Sequence, residues 1–548
     1  MPIITFEYDE LEKHGISIEK DRLIDILPML GSDIEDYDDE TVKVEFFPNR
    51  PDQLSLEGLS RSLKGFISQE TGLPSYSIEE SGEEVYIDEK ITKIRPFISF
   101  AIIKSVDVSG KKLKQIMGFQ ENLHWVIGRD RKKVAIGIHN LDVIKGPFYY
   151  IASEKNENAF IPLEHENKMT PEEILIKHEK GSKYSHLLEK FNMYPLILDK
   201  NNEVLSMPPI INGELTKLTD NTKNIVIDVT GTDEKAVNQC LNILCSSFAE
   251  IGGKIESLKI IYPDKTVITP DLKVKEKIVH VATANKLIGI DIDADEIKRL
   301  ISKARMDAEI IDSNSLKVKI PSYRIDILHE VDLIENIAIQ YCINKIKPKM
   351  PKIATVANED PWFKSDNSIR EVMIGLGFQE IMSLMLTSEE NHYSKMNQEI
   401  SEHVEVARPI SLERTMIRTN LINGLMEFLE DNKHEDLPQK IFEIGDVLYL
   451  DDSKETKTNT IKKLSALICH STTNFTEIKS TISSVLLNLG YDMQITPSIN
   501  PSFIKGRVGN IKSKNGEIEG VFGELSPLVI DNFDLKYPVT CFEITFKL

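Results

Sequence analysis

At 548 residues, 41% apolar and 28% charged, the chain is too long for one hydrophobic core and has the composition of a soluble globular protein. Roughly three to five domains of about 100–200 residues are expected. A net charge of −21 excludes a general polyanion coat, and no run of about 18 uncharged apolar residues is present to cross a membrane.

The opening MPIITFEYDELEKHG lacks the basic and apolar regions of a secretory signal, so the chain reads as cytoplasmic. The five cysteines, Cys240, Cys245, Cys342, Cys469 and Cys541, form no CxxC pair and read as buried free thiols.

Residues 1–88 mix short strands with helices. TVKVEFFPN (41–49) alternates like a strand and runs into the turn Asn49-Arg50-Pro51-Asp52. LSLEGLSRSLKGFI (54–67) then repeats its apolar residues at helical spacing, with Asp52 as the expected N-cap.

Residues 89–265 are richer in strand patterns. RPFISFAIIKSVDV and KVAIGIHNLDVI look like buried strands, and AVNQCLNILCSSFAEIGG (236–253) like a long helix stopped by paired glycines. The basic run Arg129-Asp130-Arg131-Lys132-Lys133 is either a local RNA-binding strip or a solvated strand end. SMPPIIN (206–212) and IDVTGTD (227–233) place hydroxyl, amide and carboxylate groups beside rigid or glycine-containing backbone. Asp228 and Thr230 are candidates for a polar pocket that reads a hydroxyl or positions water, and Asp233 reads as a helix N-cap. His124, His139 and His470 do not pair at ligand spacing and read as satisfied structural histidines.

Residues 270–347 follow the order helix, helix, strand, strand, helix, which suggests a winged-helix-like module. Asp326, Asp332, Glu335 and Asn336 are oxygen donors of the kind that suits Mg²⁺. Asp332 and Glu335 also resemble a capping box on a helix starting near residue 333, and the two readings are compatible. The connector KIKPKMPK (345–352) leads into residues 352–548, where helices alternate with strands such as KIFEIGDVLYL, KLSALIC and EIEGVFGEL. That pattern predicts a mainly antiparallel sheet with helices. No Walker or Rossmann glycine loop and no serine or cysteine triad is evident.

Eight stretches in order resemble phenylalanyl-tRNA synthetase β subunits over almost the whole chain. They are NRPDQLSLEGLSRSL, QENLHWVIGRDRKKVAIGIHNLD, SMPPIINGELTK, IDVTGTD, IPSYRIDILHEVDLIENIA, RPISLERTMIRTNLINGL, IFEIGDV and GRVGNI with GVFGELSPLVIDNF. The resemblance implies an α+β multidomain chain. It would comprise a mixed α/β B1-like domain at 1–88, a B3/B4-like editing domain at 89–265, a B5-like module at 270–347, and a catalytically inactive class II synthetase-like core at 352–548.

It also implies an (αβ)₂ heterotetramer that attaches phenylalanine to tRNA(Phe) with ATP and Mg²⁺. The α subunit would carry activation, and this chain would hydrolyse Tyr-tRNA(Phe) at an editing pocket of Ser206, Asn212, Asp228 and Thr230. The metal set transfers to Asp326, Asp332, Glu335 and Asn336. Asn336 departs from the family's usual acid, which weakens the site or leaves it to be completed by α.

A working class II core needs an Arg-x-Glu strand. This chain has Lys440-Ile441-Phe442-Glu443 there, and no Gly-x-Gly-x-Gly run followed by arginine. The bacterial type's extra domains find no room before Leu548, so the archaeal/eukaryotic type is expected. The competing readings are a non-enzymatic scaffold or RNA-binding subunit of the same lineage, and a free-standing Mg²⁺ hydrolase.

Overall fold

Alternation of apolar and polar residues builds the first sheet. The structure, a computed structural model, describes residues 2–514 and 516–546, so the last two residues of the fourth expected unit lie outside it. The chain divides into two compact units, 1–350 and 351–548.

In the first unit, β1 (Ile3–Glu7), helices α1 (Tyr8–Lys13) and α2 (Lys20–Ile26), β2 (Ser32–Tyr37) and β3 (Thr41–Phe46) come first, with sheet order β1-β3-β2. Helix α3 (Leu56–Phe66) follows. Its N-cap is Ser55, whose hydroxyl accepts from the Gly58 amide, and not Asp52 as expected. Asp52 lies in the short turn before it and is fully buried. Its carboxylate accepts from Arg50 Nε and Nη2 at 2.8 and 2.9 Å and lies 3.8 Å from Arg61. The Arg61 guanidinium stacks 3.7 Å above the Tyr323 ring and donates to Tyr76, whose hydroxyl donates to Glu250. The residues read as a rigid turn are therefore a buried charged junction between distant parts of the chain.

A ten-stranded sheet follows. In chain order it uses β4 (Ile78–Ile87), β5 (Phe97–Lys104), β6 (Val134–Asn140), β7 (Phe148–Glu154), β8 (Met193–Leu198), β9 (Val204–Met207), β10 (Ile211–Asn212), β11 (Ile225–Gly231), β12 (Lys254–Ile261) and β13 (Thr266–Thr269). The path is β10-β9-β8-β7-β4-β12-β5-β11-β6, with β13 beside β12. Helices α4 (Lys111–Val126), α5 (Pro171–Lys177), α6 (Glu179–Tyr184) and α7 (Glu234–Glu250) connect these strands. Asp233 caps α7 as expected, accepting from the Ala236 amide.

Both faces of β5 and β11 are buried, which explains their nearly continuous apolar sequences. Ala101, Ile103, Ile225, Ile227 and Val229 pack with Val237, Leu241 and Leu244 of α7, while Phe100, Ile102 and Val226 pack with Phe148 and Tyr150.

The module after it has α8 (Val281–Ile288), α9 (Ala294–Lys303) and α10 (Glu330–Tyr341) around a sheet of β14 (Lys275–His280), β15 (Asp307–Asp312) and β16 (Ser315–Ile320), in the order β14-β16-β15. The expected two-stranded wing has a third strand, because KEKIVH pairs with SLKVKI over six residues.

In the second unit, α11 (Pro361–Gly375), β17 (Gln379–Glu380), the paired β18 (Leu386–Thr387) and β19 (Met416–Ile417), and α12 (Ile422–Asp431) precede β20 (Gln439–Leu450) and β21 (Thr458–Cys469). Then come α13 (Phe475–Asn488), β22 (Gln494–Pro497), β23 (Phe503–Lys512), β24 (Ile518–Leu525), α14 (Pro527–Asn532) and β25 (Val539–Phe546). The seven-stranded sheet β17-β20-β21-β25-β24-β23-β22 is antiparallel except at β17–β20. Alternate residues send Phe442, Ala466 and Phe542 toward α13, and Ile441, Leu467 and Cys541 toward α12 and α14.

Asp52→Ala should leave Arg50 without its buried counter-charge and Arg61 with Glu250 alone, and destabilise the first unit by about 3–5 kcal/mol. Calorimetric unfolding of the chain measures the loss, and an unchanged transition would show the junction to be energetically idle.

Candidate functional site

Strand β11 places Asp228 and Thr230 on one face by its period of two, the face that Val226 also occupies. Strands β9 and β10 pair so that Ser206 lies opposite Asn212. Helix α4 offers Met117, Gln120, Glu121 and His124 from one face. These elements enclose one cavity of about 40 Å³, and Ser206, Asn212, Asp228 and Thr230 all line it. Such a volume admits about one or two waters or a ligand hydroxyl.

β6 is the terminal strand of the sheet path, and side chains of α4 satisfy the backbone on its outer side. Gln120 Nε2 donates to the Ile136 carbonyl at 2.7 Å, and the Ile136 amide donates to His124 Nε2 at 2.7 Å. An amide can only donate, so His124 is the neutral tautomer with its proton on Nδ1. Burial pushes its pKa below the ordinary imidazole value, against the pull of Glu121.

Arg95, also buried, donates through Nε to Thr230 Oγ1 at 2.9 Å and through Nη2 to the Thr230 carbonyl at 2.7 Å. The Thr230 hydroxyl proton therefore remains for another acceptor. Asp228 accepts from His139 Nε2 at 2.7 Å. Gln120 Oε1, Arg131 Nε and Ser206 Oγ are buried on lining residues without a hydrogen-bond partner in the chain, and His124 Nδ1 has only the Glu121 carboxylate at 3.4 Å. Three such unpartnered atoms around one small cavity mark it as a polar site, because buried polar groups are otherwise paired.

The basic run at 129–133 is split by its backbone. Arg129, Asp130 and Arg131 have φ of 49°, 53° and 66°, a left-handed turn that carries Arg131 inward. Its guanidinium donates to the Ile210 carbonyl at 2.9 Å and to Glu121 at 2.6 Å, and lies over the Tyr184 ring. Arg131 thus braces the Pro208–Asn212 segment, while Arg129 and Lys132 stay exposed.

Asp326, Asp332, Glu335 and Asn336 lie apart from this cavity. Asp326 receives both Arg324 Nε and Nη2, at 2.9 and 2.7 Å. Burial works to raise its carboxyl, but Arg324 and Arg50 outweigh it and hold it below the usual range. Asn336 accepts from Arg324 at 2.8 Å and donates to the Asp332 carbonyl. Asp332 occupies the third helical position, not the cap, and accepts from the Leu328 and His329 amides. Glu335 is exposed. Among the described residues no group of three or more His, Cys, Asp or Glu converges. With Asp326 and Asp332 already engaged and Glu335 exposed, the set as it stands does not fit a magnesium ion, and no chemical step is routed through one.

In the second unit, Glu443 of the Lys440–Glu443 stretch is buried against Arg418 at 2.7 Å, with Ser383 bonded to both. Lys463 pairs with Glu543 at 2.8 Å and donates to the Tyr449 hydroxyl at 3.0 Å. Burial works to lower the Lys463 ammonium, but Glu543 and Tyr449 outweigh it and raise its pKa. The cations on this face are neutralised pairwise by carboxylates of the same chain.

A family model described as phenylalanyl tRNA synthetase beta chain CLM domain matches residues 346–546. Models described as tRNA synthetase B5 domain and B3/4 domain match residues 278–342 and 130–244. Over its full length the chain is 51% identical to the phenylalanine–tRNA ligase beta subunit of Methanosphaera stadtmanae and 43% identical to that of Methanocaldococcus jannaschii, with 100% of each covered. A crystal structure of an N-terminal fragment of the Pyrococcus horikoshii phenylalanyl-tRNA synthetase beta-subunit matches with a TM-score of 0.60 and 39% identity. That match covers 62% of this chain and 99% of the fragment.

His392 is fully buried beside the Arg418 and Lys463 pairs, and its Nε2 accepts from the Thr419 amide. Burial first, then the charges of His403 and Lys463, depress its pKa to about 4 from 6.5. A depressed folded value means stability present above pH 6.5 and lost as pH falls toward 4. Between pH 7 and 4 the wild type should lose on the order of 3 kcal/mol more than His392→Gln. Denaturant titrations at the two pH values measure the difference, and equal losses would refute it.

Proposed function

The chain belongs to the family of phenylalanine–tRNA ligase β subunits, and on that premise we propose that it edits and scaffolds while the α subunit activates the amino acid. The observation that carries the editing half is the meeting of Ser206, Asn212, Asp228 and Thr230 on one cavity with several unpartnered polar atoms. Tyrosine differs from phenylalanine by one hydroxyl, and an apolar synthetic pocket rejects an added hydroxyl by only about 10²-fold. A second, polar site that prefers the hydroxyl restores the difference. The Asp228 carboxylate would accept the phenol proton. Thr230 and Ser206 would offer hydroxyls to the ester or to the attacking water. No general base is assigned.

The scaffold half rests on the second unit's charges. A triphosphate on that face would have to break the Arg418–Glu443 and Lys463–Glu543 pairs, at about 3–5 kcal/mol each if one partner is left buried and unpaired. ATP binding and activation, with the magnesium they use, therefore fall to α in a cytoplasmic (αβ)₂ assembly acting on tRNA(Phe). The working division is a B1-like domain at 1–88, an editing domain at 89–265, a B5-like module at 270–347 and an inactive synthetase-like core at 352–548.

A purely scaffolding or RNA-binding subunit is the second reading. The cavity's volume favours it, since 40 Å³ holds a hydroxyl but not a tyrosyl ring without movement at the mouth.

Reconstitution with α separates the two. Asp228→Ala should lower hydrolysis of preformed Tyr-tRNA(Phe) by at least about 10-fold, the effect of losing one hydrogen bond to a charged group, while phenylalanine charging changes little. Equal loss of both activities would make Asp228 structural. The chain without α should show no phenylalanine-dependent exchange of pyrophosphate into ATP, and detectable exchange would overturn the assignment of activation to α.

A further inference from the structure

We propose that His139 is a positioning residue that aims the Asp228 carboxylate into the cavity and ties the opposite wall to it. This inference rests on the editing reading and names a residue that the reading does not require.

On β6, Gly137 lies directly opposite Asp228 of β11, and His139 follows two residues along on the same face. A Cβ at position 137 would come within 2.0 Å of Asp228 Oδ2 and 2.5 Å of His139 Nε2. The His139–Asp228 bond therefore lies across the glycine, and only a residue without a side chain leaves it that space.

His139 is fully buried and both ring nitrogens are engaged: Nε2 with Asp228 Oδ2 at 2.7 Å, Nδ1 with Thr216 Oγ1 at 2.8 Å. A carboxylate in this contact can only accept, so Nε2 carries the proton. Turning the ring breaks two bonds at once, which fixes Oδ2 on the histidine and leaves Oδ1 for a ligand.

The far end of the chain of contacts reaches the other wall. Thr216 has one hydroxyl proton, so its Oγ1 can donate to only one of His139 Nδ1 and the Leu205 and Gly213 carbonyls, the last two at 3.3 Å. Its backbone amide separately donates to the carbonyl of Gly213, the residue after Asn212, at 3.3 Å. The path from Asp228 through His139 to Thr216 thus links the carboxylate to the backbone beside one lining residue across the cavity. A displaced carboxylate and a loosened β9–β10 wall follow from the loss of the imidazole.

The test uses the α-containing enzyme and preformed Tyr-tRNA(Phe). His139→Leu should lower kcat/KM for deacylation by about 10–100-fold, the range for one hydrogen bond to a charged group. His139→Gln keeps an N–H within reach of Asp228 and should recover most of that loss. Thr216→Val, nearly isosteric, should lower the rate in the same direction by a smaller factor of about 3–10, and it keeps the inference testable if the leucine variant does not fold. Phenylalanine charging serves as the folding control.

Wild-type deacylation in His139→Leu, or equal losses in the leucine and glutamine variants, would reduce His139 to packing and overturn this inference alone. A wild-type deacylation rate in a folded Thr216→Val variant would do the same. A wild-type enzyme that does not hydrolyse Tyr-tRNA(Phe) would overturn the editing reading and this inference with it.

Discussion

The antiparallel register that sets Gly137 against Asp228 governs the site. A slip of one residue between β6 and β11 would send Asp228 and Thr230 to the face packed on α7, among Ile225, Ile227 and Val229. Burial of both faces resists that slip, because it would place a carboxylate in an apolar layer and expel branched side chains from it. Arg95 reinforces the register by gripping both the hydroxyl and the carbonyl of Thr230. Gln120 and His124 hold the outer side of β6 through a single residue, Ile136. The cavity is what remains between a fixed strand pair, one helix face and the Pro208–Asn212 segment braced by Arg131.

Several buried charges in this protein are paired, and the pairs serve different ends. At the junction of the N-terminal sheet with α7 and the segment around Tyr323, Asp52 and Glu250 face Arg50 and Arg61, while Arg61 lies over an aromatic face. Ion pairs of this kind add little net stability relative to apolar packing, but removal of one partner is costly, so they fix one arrangement of the surrounding parts. In the second unit the same physics closes off a function. Arg418 and Lys463 are the sort of cation that would hold a phosphate, yet each already faces a carboxylate of its own chain. The sheet keeps its antiparallel form because its two apolar layers, toward α13 and toward α12 and α14, do not depend on those charges.

Local periodicity made much of the fold legible. The helix over 234–250, its Asp233 cap, the buried strands at 97–104 and 134–140, and the strands at 439–450, 458–469 and 518–525 all follow from apolar spacing. Errors arose where two local signals compete. Asp52 and Ser55 both precede a helical run, and only packing decides that the aspartate turns inward to arginine while the serine caps. The strand at 275–280 follows a proline-containing connector and is short, so its pairing with 315–320 is visible only once the chain has folded back. Asp332 satisfies backbone amides from the third helical position, a role that looks the same in sequence as a metal ligand. His139 and His124 read as ordinary core histidines, although Gly137, a glycine within a run of apolar strand residues, is a local sign of close approach.

From its sequence alone this chain determined most of its strands and helices, its family, and the residue types from which a polar pocket could be made. Those properties depend on composition and on patterns a few residues long, which secondary-structure periods translate directly. The tertiary structure alone decided which polar groups meet. Thr216, His139 and Asp228 are joined across 77 and 89 residues of separation, and Arg95 reaches Thr230 across 135. Hydrogen bonds over such separations exist only after strand pairing has brought the backbones together, so no local pattern encodes them. The same holds for the charges of the second unit. Whether Lys463 meets a phosphate or a neighbouring glutamate is set by the register of β21 and β25, and Arg418, just past β19, reaches Glu443 only once its segment is laid against β20.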